Sequence, residues 1–486
     1  MRLPVFLAGL AAVTGVSFAE LPKTAADLFR LDRIWEATFS LTAEEWEGLQ
    51  PDEPQGGGFP FGGPGGPGGP GRPGGPPGAG GPGGGPQTFG PGNFLAGGFV
   101  SALDQDKNGQ VSAAEFQGGF ARWYGEWDAK KQGSLGGDEV RDGLNKALMG
   151  PPPGGGPGGG PRPGGPGGPG GPGFGLQGRE GQRNGLSAMR GINFEYVRAN
   201  LTFEGTAFPE VAVRYKGNGT YMDARDTVKK SLKVDLNEFV KGQKIAGVSK
   251  LNFHNNITDV AWMHEPLAYE LYRAAGVPAP RTAYARLTLN AAGAHTNKFL
   301  GLYSLVENPD SNWAESNFGS RKGAIFKPVT RELFKFQGTN WGAYNQAYDP
   351  KTDLTPKQQQ RVYDFARLIT DADDAELARR LPEFLDVDEF SRFMAVTVWL
   401  SSTDSILMMG QNFTVYLHPK TDRFLFMPWD LDRAFGNFFS PSPERMSIQK
   451  AWAEDNRFLQ RVMAVPAVAE AYRARLQEFQ GTLFQP

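Results

Sequence analysis

Two tracts of glycine and proline, about residues 54–92 and 150–178, hold almost no side chain that a core could bury. Within them Gly-Gly-Pro recurs with a period of three, as at Pro64, Pro67, Pro70 and Pro73, which on paper permits a collagen-like or polyproline form. The runs are short and interrupted, so they read as partly extended tethers. Folding is thereby confined to the blocks outside them. The expected division is residues 20–50, a linker over 51–92, a compact block over 93–149, a second linker over 150–190, and a long block over 191–486.

Residues 1–19 read as a secretory signal. Arg2 supplies the positive start, residues 3–16 are largely apolar, and Ser17-Phe18-Ala19 sets small residues at the cleavage positions, so cleavage is expected after Ala19. No later run approaches the length of a bilayer span, so a secreted, periplasmic or cell-surface location is expected, with no membrane span. The chain has no Cys, which excludes a disulfide framework and leaves stability to buried cores. A net charge of −2 gives no sign of a nucleic-acid surface, and four His residues at wide spacing argue against a zinc site. Oligomeric state is not legible.

In the central block, Asp104-Gln105-Asp106-Lys107-Asn108-Gly109-Gln110-Val111-Ser112-Ala113-Ala114-Glu115 matches the EF-hand calcium loop. Asp104, Asp106 and Asn108 supply oxygens at positions 1, 3 and 5, and Gln110 supplies its carbonyl at 7. Ser112 stands at 9 and Glu115 at 12, with Gly109 for the turn. Phe94, Phe99, Val100 and Leu103 before the loop, and Phe116, Phe120 and Trp123 after it, recur at helical spacing. Residues 128–139 repeat the frame, but Lys130, Gln132 and Gly136 replace three ligands. The expectation is an all-α pair of EF-hands in which only the first loop holds calcium well.

The remaining blocks share one character. Residues 34–41 alternate like a strand and lead into a short helix capped by Thr42. Residues 211–215, 231–236, 285–289 and 300–306 are further strand candidates, whereas the pattern turns helical from Lys357 onward. Strands first and helices later predict an α+β, two-lobed architecture. In the second half, the apolar run Phe424 to Pro428 reads as a buried strand that ends in Trp429-Asp430-Leu431-Asp432-Arg433. Ionised carboxylates in such a place require a metal or basic partners. Upstream, Asp404 is followed by Asn412 at the start of another strand-like stretch. An Asp to accept a proton, an Asn to bind metal and a later Asp form the minimum for metal-assisted phosphoryl transfer. Taken singly, these residues are equally ordinary turn and cap chemistry.

These residues resemble the spore-coat protein H (CotH) kinases, atypical relatives of the protein kinase fold. The resemblance runs over residues 31–50 and from 191 to about 476. It is carried by Arg214-Tyr215-Lys216-Gly217-Asn218-Gly219, Lys230-Ser231-Leu232-Lys233-Val234, Leu251-Asn252-Phe253, Glu265 to Arg281, Gly301 to Glu307, and the Asp404, Asn412, Asp430, Asp432 set. It implies a strand-rich N-lobe, a helical C-lobe and transfer of phosphate from ATP to a protein Ser or Thr. Lys233 is then expected on the nucleotide phosphates, paired with Glu265, with Asp404 as the base and Asn412, Asp430 and Asp432 on magnesium. Lys216 and Gly217 are expected in a turn over the phosphates, though the same residues equally suit a hairpin turn, and Glu307 where the adenine hinge would lie. An alternative keeps the fold as an inactive scaffold in a calcium-binding surface or assembly protein.

Overall fold

Residues 34–41 alternate large apolar and polar side chains, and in the computed structural model they form β1 (Ile34–Leu41) with Trp35, Ala37 and Phe39 turned inward. The structure describes residues 20–51, 99–129, 131–148, 184–189, 191–224, 226–438 and 447–485. The expected leader over 1–19, both Gly/Pro tracts, Phe94 and Lys130 lie outside them. The described residues fall into two units, those up to 51 and from 184 onward in one and those from 99 to 148 in the other.

In the first unit β1 is followed by β2 (Val197–Phe203), β3 (Thr206–Tyr215), β4 (Leu232–Asp235), β5 (Lys250–His254), β6 (Thr282–Ala291) and β7 (His295–Glu307). These close into a seven-stranded barrel in the order β1-β2-β3-β4-β5-β7-β6. Closure comes from β1, which pairs antiparallel with β2 and parallel with β6, Ile34 opposite Tyr284 through Leu41 opposite Ala291. Alternation predicts the strand and its inward face, but not that both of its edges are used. Phe39, Phe203, Phe253, Leu287 and Leu305 meet in the barrel's core.

A second, three-stranded sheet has the order β10-β9-β8, from β8 (Ala324–Phe326), β9 (Phe413–Leu417) and β10 (Phe424–Pro428). It packs with the helices Pro356–Asp371, Val387–Trp399 and Arg457–Ala464 around a separate core that includes Phe334, Phe365, Phe390 and Phe426. The class is therefore mixed α and β, and the strands expected in the first half close into a barrel. No helix among the described residues is long and apolar enough to cross a membrane.

In the second unit residues 99–103 are helical, and the helix Ala113–Trp127 starts at Ser112, whose hydroxyl accepts from the Glu115 amide. Leu103 and Trp123 are buried, but Phe116 and Phe120 are 50% and 37% exposed and pack on one another at 4.6 Å. Helical spacing thus identifies the helix but overstates its buried face.

Candidate functional site

The end of β10 and the start of β9 are tied together, since the Trp429 amide donates to the Asn412 carbonyl at 3.1 Å. Asn412 and Asp430 both take left-handed backbone, at φ 58° and 57°, a conformation that Asn and Asp tolerate better than most residues. Asn412 Nδ2 donates to the Asp404 carbonyl at 2.9 Å, and its Oδ1 accepts no hydrogen bond among the described residues. Gln411 Nε2 donates to Asp404 Oδ1 at 2.6 Å. Tyr269 Oη accepts the Asp430 amide at 3.0 Å, and Asp432 accepts from Thr258 Oγ1. Arg433 lies 3.1 Å from Asp223 and 4.0 Å from Asp404. Asp404, Asn412, Asp430 and Asp432, read from separate places in the sequence, are thus brought together.

Burial pushes the Asp404 carboxyl up to about 6. Burial, then the Asp430 charge, raises Asp432 well above the ordinary carboxylate range. Burial also acts on Asp430, but the charges of Lys216, Lys327 and Arg433 outweigh it and hold that carboxyl low. The charge of Asp430 acts on Asp404 and Asp432, and carboxylate and amide oxygens are donors of the kind that suits a hard cation such as magnesium. Ligand atoms of Asp430, Glu265 and His254 lie within 4.8 Å of one another.

Asp430 borders a cavity of about 470 Å³ between β3, β4 and β5 on one side and Ile325, Lys327 and Lys351 on the other. Lys216, Gly217 and Lys233 line it; Glu307 does not. Glu307 is instead engaged by Arg281 through both carboxylate oxygens, at 2.5 and 3.0 Å, and so is spent on a structural pair. Gly217 adopts φ 112°, and a Cβ there would meet Thr220 Oγ1 at 2.6 Å. The chain leaves β3 through it into the short helix Gly219–Asp223, so the segment is not a two-residue hairpin turn.

Glu265 sits in the first turn of the helix His264–Ala274, as Pro266 requires, but its partner is not Lys233. His254 Nδ1 lies 2.7 Å from Glu265 Oε2, and Lys216 Nζ lies on the other ring nitrogen. Because an ammonium can only donate, Nε2 accepts and Nδ1 carries the proton that Glu265 accepts. Burial, followed by the Lys216 charge, keeps this ring neutral by holding its pKa well below the usual value. The physical reason is topology. β5 runs into the Glu265 helix, and Lys233 lies one strand away on β4, opposite Asn252. Lys233 makes no hydrogen bond or ion pair among the described residues, and burial with Arg214 and Lys216 nearby lowers its pKa to about 7.

In the other unit, Asp104, Asp106 and Glu115 offer oxygens within 4.8 Å of one another. Asp104 Oδ2 accepts the Gly109 amide at 2.8 Å, Asn108 Oδ1 accepts the Gln110 amide at 2.8 Å, and Glu115 Oε1 accepts the Gln105 amide at 2.8 Å. Hydrogen bonds from Ser112 draw the Glu115 carboxyl down to about 2. In the second frame, among the described residues, Asp128 accepts the amides of Gln132 and Gly133, and Glu139 accepts the amide of Gly136.

His254, Tyr269, Thr258, Lys250, Lys327 and Lys351 are missed from sequence. One signal was present: Asn252 and His254, at period two, give polar residues to one face of an otherwise apolar strand. The lysines at 327 and 351 follow short apolar or turn segments and carry no pattern. A comparison with curated proteins finds no match. Residues 213–486, more than half of the chain, match the family described as CotH kinase protein, and the chain belongs to that family.

Proposed function

We propose that the chain is an ATP-dependent protein phosphotransferase, exported by its first 19 residues, with a calcium site in the 104–115 loop. The observation that carries this reading is Asp430. It lines both the Lys-rich cavity and a smaller one that it shares with Asp432, and its charge acts on Asp404 and Asp432, so phosphate-binding charge and oxygen donors meet at this residue. Asn412, Asp430 and Asp432 hold magnesium, which neutralises charge on the phosphate oxygens. Lys216, braced by His254 and Glu265, grips the phosphates. Asp404 accepts the proton of the attacking Ser or Thr hydroxyl, and its raised pKa suits that role near neutral pH. Arg433 holds Asp404 and Asp223 to one guanidinium.

Calcium in the 104–115 loop draws on the side chains of Asp104, Asp106, Asn108 and Glu115, the Gln110 carbonyl and Ser112. The test is transfer of labelled phosphate from ATP, with magnesium, to the protein itself or to an acidic or Ser-rich protein. Wild type is expected to transfer and Asp430→Ala not to. Equal absence of transfer in both, over a range of metals and acceptors, overturns the enzyme and favours the scaffold.

A further inference from the structure

The cavity beside Asp430 is lined by six cationic side chains, Arg214, Lys216, Lys233, Lys250, Lys327 and Lys351, against two carboxylates, Asp310 and Asp430. Part of that charge is balanced locally. Lys250 lies 3.6 Å from Asp235, and Lys351 lies 2.6 Å from Asp349. Asp310 is occupied as a helix cap, accepting the amides of Asn312 and Trp313. Arg214 and Lys233 form no ion pair among the described residues, yet they stand directly opposite one another on β3 and β4. Like charges at such cross-strand positions destabilise a sheet unless an anion relieves them. The unrelieved pair lies on the floor of the cavity.

Several side chains that could recognise a purine are already engaged. The Trp429 ring has Lys216 at 5.0 Å and Lys327 at 4.9 Å from its centre. Phe194 packs edge-on against Tyr221 at 4.8 Å. The Asn308 side chain is engaged with Asn252 and Asp310, and Pro309 has no amide hydrogen to offer.

The geometry points to a donor site selected for a chain of phosphates, occupied by inorganic tripolyphosphate as well as by nucleoside triphosphates of any base. This rests on the transferase reading and specifies its donor. The acceptor oxygen forms a bond to the terminal phosphorus while the bond from that phosphorus to the bridging oxygen breaks. The electron pair stays on the departing di- or polyphosphate, among the lysines, and the hydroxyl proton goes to Asp404. Lys233 and Arg214 bind the non-transferred phosphates, whatever they are attached to.

Calorimetry and competition on the full chain with magnesium test this, using ATP, GTP, tripolyphosphate and adenosine. Tripolyphosphate is expected to displace ATP with an affinity within about tenfold of ATP's own, GTP to match ATP within about threefold, and adenosine to show no binding. Lys233→Met is expected to weaken ATP and tripolyphosphate by one common factor of about ten or more, and Lys233→Arg to retain both. Adenosine binding with no competition by tripolyphosphate overturns the inference, as does a Lys233→Met variant that loses only one ligand. Transfer measured in parallel keeps the readings apart. Competition by tripolyphosphate without any phosphoprotein overturns the transferase alone, whereas phosphoprotein made from ATP with no such competition overturns the donor class alone.

Discussion

The 104–115 loop and the Asp430 site both gather carboxylates, one in water and the other in the core. In the loop, Asp106 is exposed and Asp104 and Glu115 are half-buried, and backbone amides hold the oxygens inward, so that Glu115 is drawn down to about 2. At the other site Asp404 and Asp432 are buried and shifted upward, and only Asp430, among Lys216, Lys327 and Arg433, is held low. The loop arranges its anions before any ion arrives. The buried site keeps part of its negative charge suppressed, and under the proposed function a cation there would neutralise it and so link metal and nucleotide to one another.

The largest effect should come from the buried site. Asp430→Ala is expected to lower phosphoryl transfer by about a thousandfold or more, measured with labelled ATP, while calcium binding stays as in wild type. In the loop, Glu115→Gln is expected to weaken calcium binding by about a hundredfold in a calorimetric titration and to leave transfer unchanged. One binding event is expected in wild type; two of equal strength would mean that residues 128–139 also hold the ion.

A buried carboxyl with no cation beside it sharpens the contrast. Glu389 accepts the Phe426 amide at 2.9 Å, its other oxygen has no partner, and burial raises its pKa well above the ordinary value. For an acid raised on folding, the contribution to stability is full below the unfolded pKa and is lost as pH rises through the folded one. Glu389→Gln is therefore expected to stabilise the protein by on the order of 1 kcal/mol at pH 8, and not at pH 4, in thermal melts. The smallest effect concerns Lys233, whose pKa of about 7 makes the free side chain lose charge as pH rises through neutrality, beside Arg214, Lys216, Lys250 and Lys351. Tripolyphosphate binding should then take up protons at pH 8 more than at pH 6, seen as heats that depend on the buffer.

What the sequence discloses follows from how each site is built. The loop's proposed ligands are contiguous, so twelve residues suffice to propose them. Asp404, Asn412 and Asp430 are legible by order, because an apolar run that ends in charge implies partners. Period two also turns Lys233 away from Leu232 and Val234, and it does line the cavity. Alternation cannot say which strand lies beside a given helix, and so Glu265 is assigned to Lys233 when His254 holds it. The same blindness hides the role of β1. Its pairing with β2 and β6 means that a fragment beginning at Gly191 would leave two strand edges open.

The central claim is that Asn412, Asp430 and Asp432 act through one divalent ion at the border of the cationic cavity. Calorimetry of ATP binding to the full chain, with and without magnesium, tests it most directly when wild type is set beside Asp430→Asn. The account predicts binding that strengthens with magnesium in wild type and loses that dependence in the variant. Binding of equal strength in all four combinations would contradict it.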